Sequence, residues 1–351
     1  MLILMKHGHT PEQLEGVSTK IRALGFTPHV IPSEHNVAVG ITGNAKRLDK
    51  EDFLGLDGVA DAIPVTKSYK LTGRDFRPKD TEITVGKGKN AVTFGPGRFV
   101  VIAGPCAVES EDQTLRIARQ VKAMGANVLR GGAYKPRTSP YAFQGLGVEG
   151  LKILKMACDE TGLPVTTEAL DHKGLEHVYQ YTDIIQIGAR NMQNFSLLAE
   201  CGKLDKPVML KRGMSATIDE WLQAAEYILE KGNPNVILCE RGIRSFDPHT
   251  RNMLDLTAVP VIKELSHLPV MVDPSHGTGR RDKVAPMSYA SLAVGANAIM
   301  VDVHDRPKEA LCDGPQALLP KEFEEIMGKL RAIAGAMGVQ MHTATGMEPS
   351  R

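Results

Sequence analysis

Residues 129–147 read LRGGAYKPRTSPYAFQGLG, and within them Arg130, Lys135 and Arg137 fall inside eight positions. Pro136 and Pro140 restrict the backbone on either side of Arg137, which lowers the entropic cost of ordering the loop. Further cations follow at wide spacing: Arg190, Lys211 with Arg212, and Arg241. Arginine presents a planar fork of donors and lysine a mobile point charge, and phosphate and carboxylate ligands use both. At about two such groups per anion, the set suits two phosphates or a phosphate and a carboxylate, hence two small anionic substrates. The chain as a whole has 42 basic and 41 acidic side chains and a formal charge of +1, so the cluster is local. Aromatic residues make up only 5% of the sequence, and no basic stripe interleaved with rings occurs, which disfavours a nucleic-acid site.

A second constellation overlaps the first. Cys106, His276, Asp302 and Asp313 offer thiolate, imidazole and carboxylate, a donor set for a borderline divalent ion such as Zn, Fe or Mn rather than Ca or Mg. Each residue also has a plainer reading. Cys106, between Pro105 and Ala107, suits a buried small hydrophobe. His276 suits a loop residue or an acid/base group, and Asp302 a turn cap. Five cysteines without a CxxC pair argue for isolated thiols in a reducing compartment and against a disulfide framework.

The elements that must position these residues are legible from residue 99 onward. Eight strand-like apolar runs, FVVIAG, NVLRGG, PVTTEA, DIIQIGA, PVMLKRG, NVILCERG, PVMVDPSH and NAIMVDVH, are separated by helix-length segments. Amphipathic helices are expected at 111–124, 149–161, 217–231, 282–293 and 321–339. This count predicts an α/β fold of the (β/α)8 TIM-barrel type over 99–340, and the fold brings every strand end to one rim. Cys106, Arg130 with Lys135, Glu168, Arg190, Lys211, Arg241, His276 and Asp302 all follow strands, so positions far apart in sequence become one pocket. An open doubly wound sheet would want a glycine fingerprint after its first strand, and GPCAVES has none.

Residues 1–66 follow the order β-α-β-β-α-β, which reads as a small ferredoxin-like α+β domain. The segment 67–98 is expected to be a polar linker ending in a strand pair, near 82–95, that plugs the base of the barrel. The tail 341–351 is expected to fray. No window approaches 18 apolar residues and the first apolar run is too short for a signal peptide, so no membrane contact and a cytoplasmic location are expected.

The segments AGPCAVES, LRGGAYKPRTSPYAFQGLG, IIQIGARNMQN, VMLKRGM, ILCERGIRSF and VDPSHGTGRRD closely resemble the 3-deoxy-D-arabino-heptulosonate 7-phosphate (DAHP) synthases. The resemblance covers essentially the whole chain and is nearest to the type I beta branch with an N-terminal ferredoxin-like regulatory domain. It implies condensation of phosphoenolpyruvate with erythrose 4-phosphate, the first step of the shikimate pathway toward chorismate and the aromatic amino acids. It implies a divalent metal cofactor (Mn, Fe, Zn or Co) on Cys106, His276, Asp302 and Asp313, with Asp302 standing where the family usually has Glu. Arg130, Lys135, Arg190, Lys211 and Arg241 match the phosphoenolpyruvate-binding cations. Pro136, Arg137 and Thr138 match the erythrose 4-phosphate segment, and Lys135 lies between the two substrates as a proton donor or acceptor. Burial among cations is expected to lower the Lys135 pKa. Glu168 is the candidate water-positioning carboxylate. The resemblance further implies allosteric control by an aromatic product such as tyrosine or phenylalanine, and a homo-oligomer, a tetramer in preference to a dimer. Two rival readings stand beside it: a 3-deoxy-manno-octulosonate 8-phosphate synthase, which carries a KANRS-like segment where this chain reads KPRTS, and a metabolite sensor that releases no phosphate.

Overall fold

The computed structural model describes residues 1–32, 37–43, 48–63 and 69–341. Residues 64–68 of the expected domain junction and 342–351 of the expected tail lie outside them. The chain divides into two compact units, Met1–Lys79 with Leu265–His267, and Asp80–Glu264 with Leu268–Arg351.

In the first unit β1 (Leu2–Met5), α1 (Pro11–Ala23), β2 (Thr27–Pro32), β3 (Val37–Thr42), α2 (Glu51–Leu54) and β4 (Val59–Ile63) form an antiparallel sheet in the order β2-β3-β1-β4. Helix α1 starts where Thr10 and Gln13 cap each other and Pro11 occupies the first turn. Its Leu14, Val17 and Ile21, one face at helical spacing, pack with Ile3 and Val39 of the sheet and with Phe53. The second helix of the expected order, α2, is a single turn, because Gly55 ends it and Gly58, at φ +82°, takes a left-handed conformation that favours glycine.

The second unit opens with an antiparallel hairpin, β5 (Ile83–Val85) and β6 (Val92–Phe94). The eight strands that follow are β7 (Arg98–Gly104), β8 (Val128–Arg130), β9 (Val165–Ala169), β10 (Ile184–Ile187), β11 (Val208–Lys211), β12 (Val236–Glu240), β13 (Val270–Val272) and β14 (Ala298–Asp302). All pair in parallel with their sequence neighbours, and β14 pairs back onto β7 to close the barrel, Asp302 opposite Gly104. Strands covered on both faces are apolar throughout, as β12 (VILCE), buried at every position, illustrates. The hairpin fills the base: Ile83, Val85, Val92 and Phe94 pack against Val100, Val128, Ile184 and Ala298 near the strand starts. Asn297 joins the two, donating from Nδ2 to Gly95 O at 2.6 Å and accepting from Val270 N at 3.0 Å.

Helices α3 (Glu111–Met124), α4 (Val148–Thr161), α5 (His172–Tyr181), α6 (Phe195–Cys201), α7 (Ile218–Glu230), α8 (Ala258–Leu265), α9 (Pro274–Thr278), α10 (Arg281–Ala293) and α11 (Pro320–Met337) connect or follow the strands, and β15 (Gln340–Met341) pairs with β7. Ser110 and Thr217 cap α3 and α7. Helix α9 was not foreseen. Asp273 caps it, its Oδ1 accepting from His276 N at 2.9 Å, with Pro274 in the first turn, so the chain coils directly after β13.

Candidate active site

The strand ends surround a cavity of about 540 Å³ whose lining includes Lys135, Arg137, Arg190, Arg241, Arg244 and Arg251, against the carboxylates Glu168 and Asp313. Pro136, Thr138, His276 and Cys312 complete much of the wall. Gly104 makes the crowding possible. It ends β7 at φ +155°, and a Cβ there would stand 2.2 Å from the Arg130 carbonyl oxygen. The close approach presents the Cys106 carbonyl oxygen to Lys135 Nζ at 2.9 Å and to Arg130 Nη2 at 3.2 Å.

Cys106, His276 and Asp313 converge. Cys106 Sγ is 3.7 Å from His276 Nε2 and 3.2 Å from Asp313 Oδ2, and the latter two atoms are 3.7 Å apart. His276 Nδ1 faces Asp273 Oδ2 at 2.9 Å. Burial opposes charge on Asp273, but His276 and Lys211 outweigh it and hold the carboxyl well below the usual range. An ionised carboxylate only accepts, so Nδ1 carries a proton and Nε2 faces the other two donors. Sulfur, nitrogen and oxygen donors at this spacing fit a borderline divalent ion.

Asp302 borders that trio. It is fully buried, ion-paired through Oδ1 with Arg130, and accepts at Oδ2 from Gln316 Nε2 at 2.6 Å; its approach to His276 Nε2 is 3.6 Å.

Two groups of cations stand out. Arg130 and Lys211 are buried against carboxylates, Lys211 Nζ lying 2.5 Å from Asp273. Arg190, Arg241 and Arg244 have no carboxylate partner among the described residues, and Arg241 Nη1 is buried without any hydrogen-bond partner. A buried guanidinium in that state is poised to receive an anion. Arg212 belongs to neither group: it sits 2.9 Å from both Glu240 and Asp255 and donates to Ala216 O. Sequence reading set it beside Lys211 on the rim, but successive residues leave a strand on opposite faces. Arg212→Met is therefore expected to lose about 3–5 kcal/mol of stability, from the Glu240 charge left buried, with substrate KM unchanged. Chemical denaturation and steady-state kinetics check the two halves.

The expectation of a lowered Lys135 pKa is corrected. Burial pulls it down, but the charges of Cys106 and Cys312 outweigh burial, and the direction is up. Cys106 moves the other way. The hydrogen bond it shares with Cys312, aided by Lys135 and His276, overcomes burial and holds its thiol well below the ordinary range. The same bond, with burial, pushes the Cys312 thiol up. All five cysteines are free, yet Cys106 and Cys312 are not isolated: their sulfurs are 3.6 Å apart. Cys158 is half-buried and Cys201 buried, and burial pushes their thiols up to about 11 and about 12.

Glu168 lines the cavity and accepts from Gln186 Nε2 at 3.2 Å across the β9–β10 pair. Arg244, Arg251, Asp273 and Cys312 were not assigned roles from the sequence. Arg244 and Arg251 lie in the segment after β12, where a second and third arginine soon after Arg241 were the available signal.

A closed barrel with a cation-lined mouth and a sulfur, nitrogen and oxygen donor trio defines a (β/α)8 enzyme acting on small anionic substrates. The pattern described as the DAHP synthetase I family matches residues 80–335, and that described as the DAHP synthase ferredoxin-like domain matches residues 1–67. The chain belongs to the DAHP synthetase I family. It is 47% identical to the phospho-2-dehydro-3-deoxyheptonate aldolase of Thermotoga maritima over 342 residues, 97% of this chain and 100% of that one. It is 31% identical to the 2-dehydro-3-deoxyphosphooctonate aldolase of Geobacter sulfurreducens over 72% of this chain and 97% of that one. The crystal structure of the Thermotoga DAHP synthase superposes with a TM-score of 0.77, at 46% identity, over 97% of this chain and 98% of that chain. A truncated form of the Thermotoga enzyme superposes with a TM-score of 0.73, at 48% identity, over 78% of this chain and 99% of that chain.

Proposed function

We propose that this cavity condenses phosphoenolpyruvate with erythrose 4-phosphate and water, giving 3-deoxy-D-arabino-heptulosonate 7-phosphate and inorganic phosphate. The observation that carries the reading is the meeting, in one cavity, of cations enough for two anions with a metal-donor trio that Lys135 also touches, its Nζ 3.1 Å from Cys106 Sγ. Arg190, Arg241 and Lys135, backed by Arg130 and Lys211, hold the enol phosphate and its carboxylate. Arg137 and Thr138, presented by Pro136, hold the sugar phosphate. Fixed in this way, carbon 3 of the enol faces the aldehyde carbon, and orientation removes much of the barrier. Attack leaves negative charge on the aldehyde oxygen and makes carbon 2 electrophilic. When bound by Cys106, His276 and Asp313, a divalent ion supplies Lewis-acid stabilisation of that oxygen. Lys135, protonated and buried, donates its proton near the junction between the substrates. Glu168 orients the water that captures carbon 2, and phosphate leaves with its bridging oxygen.

Loss of enol absorbance is measured with each aldose phosphate. Turnover with erythrose 4-phosphate supports the reading. Turnover with arabinose 5-phosphate alone sinks it, and binding of phosphoenolpyruvate without phosphate release points to a sensor.

The small N-terminal domain is proposed to bind an aromatic amino acid and inhibit the barrel. Its match to the family's ferredoxin-like domain supports this. Removing residues 1–65 is expected to abolish inhibition by tyrosine or phenylalanine while keeping turnover, and persistent inhibition would refute it. The truncated Thermotoga enzyme is a solved relative of the corresponding length. A cytoplasmic homo-oligomer, a tetramer in preference to a dimer, completes the proposal; no described helix is long and apolar enough to cross a membrane.

A further inference from the structure

Resting on the metal reading above, we infer that Cys312 is a ligand of the metal centre, giving a two-thiolate Cys106, Cys312, His276 and Asp313 set in which Asp302 takes no part. The argument is geometric. Metal–sulfur bonds near 2.3 Å and metal–nitrogen or metal–oxygen bonds near 2.1 Å place tetrahedral donors about 3.8 Å apart for two sulfurs, about 3.6 Å for sulfur with oxygen or nitrogen, and about 3.4 Å for nitrogen with oxygen. The two sulfurs here are 3.6 Å apart. Asp313 Oδ2 is 3.2 Å from Cys106 Sγ and 3.5 Å from Cys312 Sγ. His276 Nε2 is 3.7 Å from Cys106 Sγ and 3.7 Å from Asp313 Oδ2. Five of the six edges of one tetrahedron are thus present. The sixth, Cys312 to His276, is not among these contacts, and closing it calls on Cys312 alone, because the other three donors already lie within 4.8 Å of one another.

Asp302 has no comparable freedom. Its Oδ1 is ion-paired with the buried Arg130 and its Oδ2 accepts from Gln316 Nε2. Drawing it to a metal would strip Arg130, 5% exposed, of its counter-charge, the kind of break that is strongly destabilising. Cys312 faces the cavity instead.

The charge of this set is met locally. Two thiolates and a carboxylate bring three negative charges to a divalent ion, an excess of one. Each sulfur has its own cation: Lys135 Nζ is 3.1 Å from Cys106 Sγ, and Arg137 Nη1 is 2.8 Å from Cys312 Sγ. Cys312 is hard to ionise alone, but a coordinated thiol is deprotonated outright by the ion's field, its proton passing to solvent. Two thiolates also make the site softer and bias it toward thiophilic ions such as Zn.

The test loads the full chain with Co(II) alone, under a phosphine reductant, and reads the near-ultraviolet sulfur-to-cobalt charge-transfer absorption per bound ion. Cys312→Ser and Cys312→Ala are each expected to keep one bound ion and lose about half the wild-type intensity, as two sulfur donors become one. Cys106→Ser loses a similar half, and Asp302→Asn keeps the full intensity. Full intensity in both folded Cys312 variants overturns the inference and leaves the three-residue centre standing. Failure of the wild-type chain to bind Co(II) is a separate result that defeats the metal reading itself and the inference with it.

Discussion

Lys135→Met is expected to lower kcat about 10³-fold, roughly 4 kcal/mol of transition-state stabilisation, with a smaller change in the KM of either substrate. Lys135 is buried, and its ammonium lies on the Cys106 carbonyl and sulfur while its neighbours Arg137 and Thr138 face the same cavity. In the proposed binding mode a positive group there sits between the two anions and next to the Cys106, His276 and Asp313 trio. Methionine matches its length without charge or proton, so binding through the arginines persists while the proton donor is gone. Lys135→Arg is no rescue, because the lysine stem crosses Gly132 so closely that a Cβ there would stand 2.6 Å from Lys135 Cδ. Steady-state kinetics with each substrate varied decide the matter. A rise in KM with kcat preserved would mean that Lys135 only binds.

Arg241→Met should show a different pair of effects: a KM for phosphoenolpyruvate raised roughly 10²-fold, and a folded state stabilised by about 1–3 kcal/mol. Arg241 is buried, and Nη1 has no protein partner, so the free enzyme bears an unsatisfied charged donor that a bound anion would satisfy. Losing it costs the charge-assisted hydrogen bonds to substrate and relieves the desolvation held in the empty pocket. The contrast with Arg212→Met is diagnostic, since there the guanidinium already has two carboxylates and its loss unfolds rather than unbinds. A denaturation midpoint that falls in Arg241→Met would show that the side chain is structural.

The barrel was readable because strands buried on both faces are nearly continuous apolar runs, interrupted only where side chains reach the mouth. All eight runs became strands, and α3 spans the expected 111–124. The hairpin plug carried a different signal, its Ile83, Val85, Val92 and Phe94 alternating inward. Helix α9 escaped because Asp273 and Pro274 look like the end of a strand as much as the start of a turn. The site was half legible. Residue types at strand ends named most of the cavity wall, but which cation meets which carboxylate depends on contacts across the barrel, and no local pattern reports them. Cys106 and Cys312 are 206 positions apart, so a thiol counted as isolated stands beside another. Asp302 was identified by its place after β14, yet that place points it at Arg130.

Lys135 and Arg137 leave one loop, and each touches a different sulfur, Cys106 for the first and Cys312 for the second. With Cys312 holding the ion as inferred and Arg137 the sugar phosphate as proposed, ion loading and substrate loading cannot be independent equilibria. Whatever factor the sugar phosphate imposes on metal affinity when it draws Arg137 toward itself must return, equal in size, as the factor by which the metal alters affinity for the sugar phosphate. An apparent metal requirement measured at one substrate concentration is then a property of that concentration, and the two ligands titrate this mouth as a coupled pair.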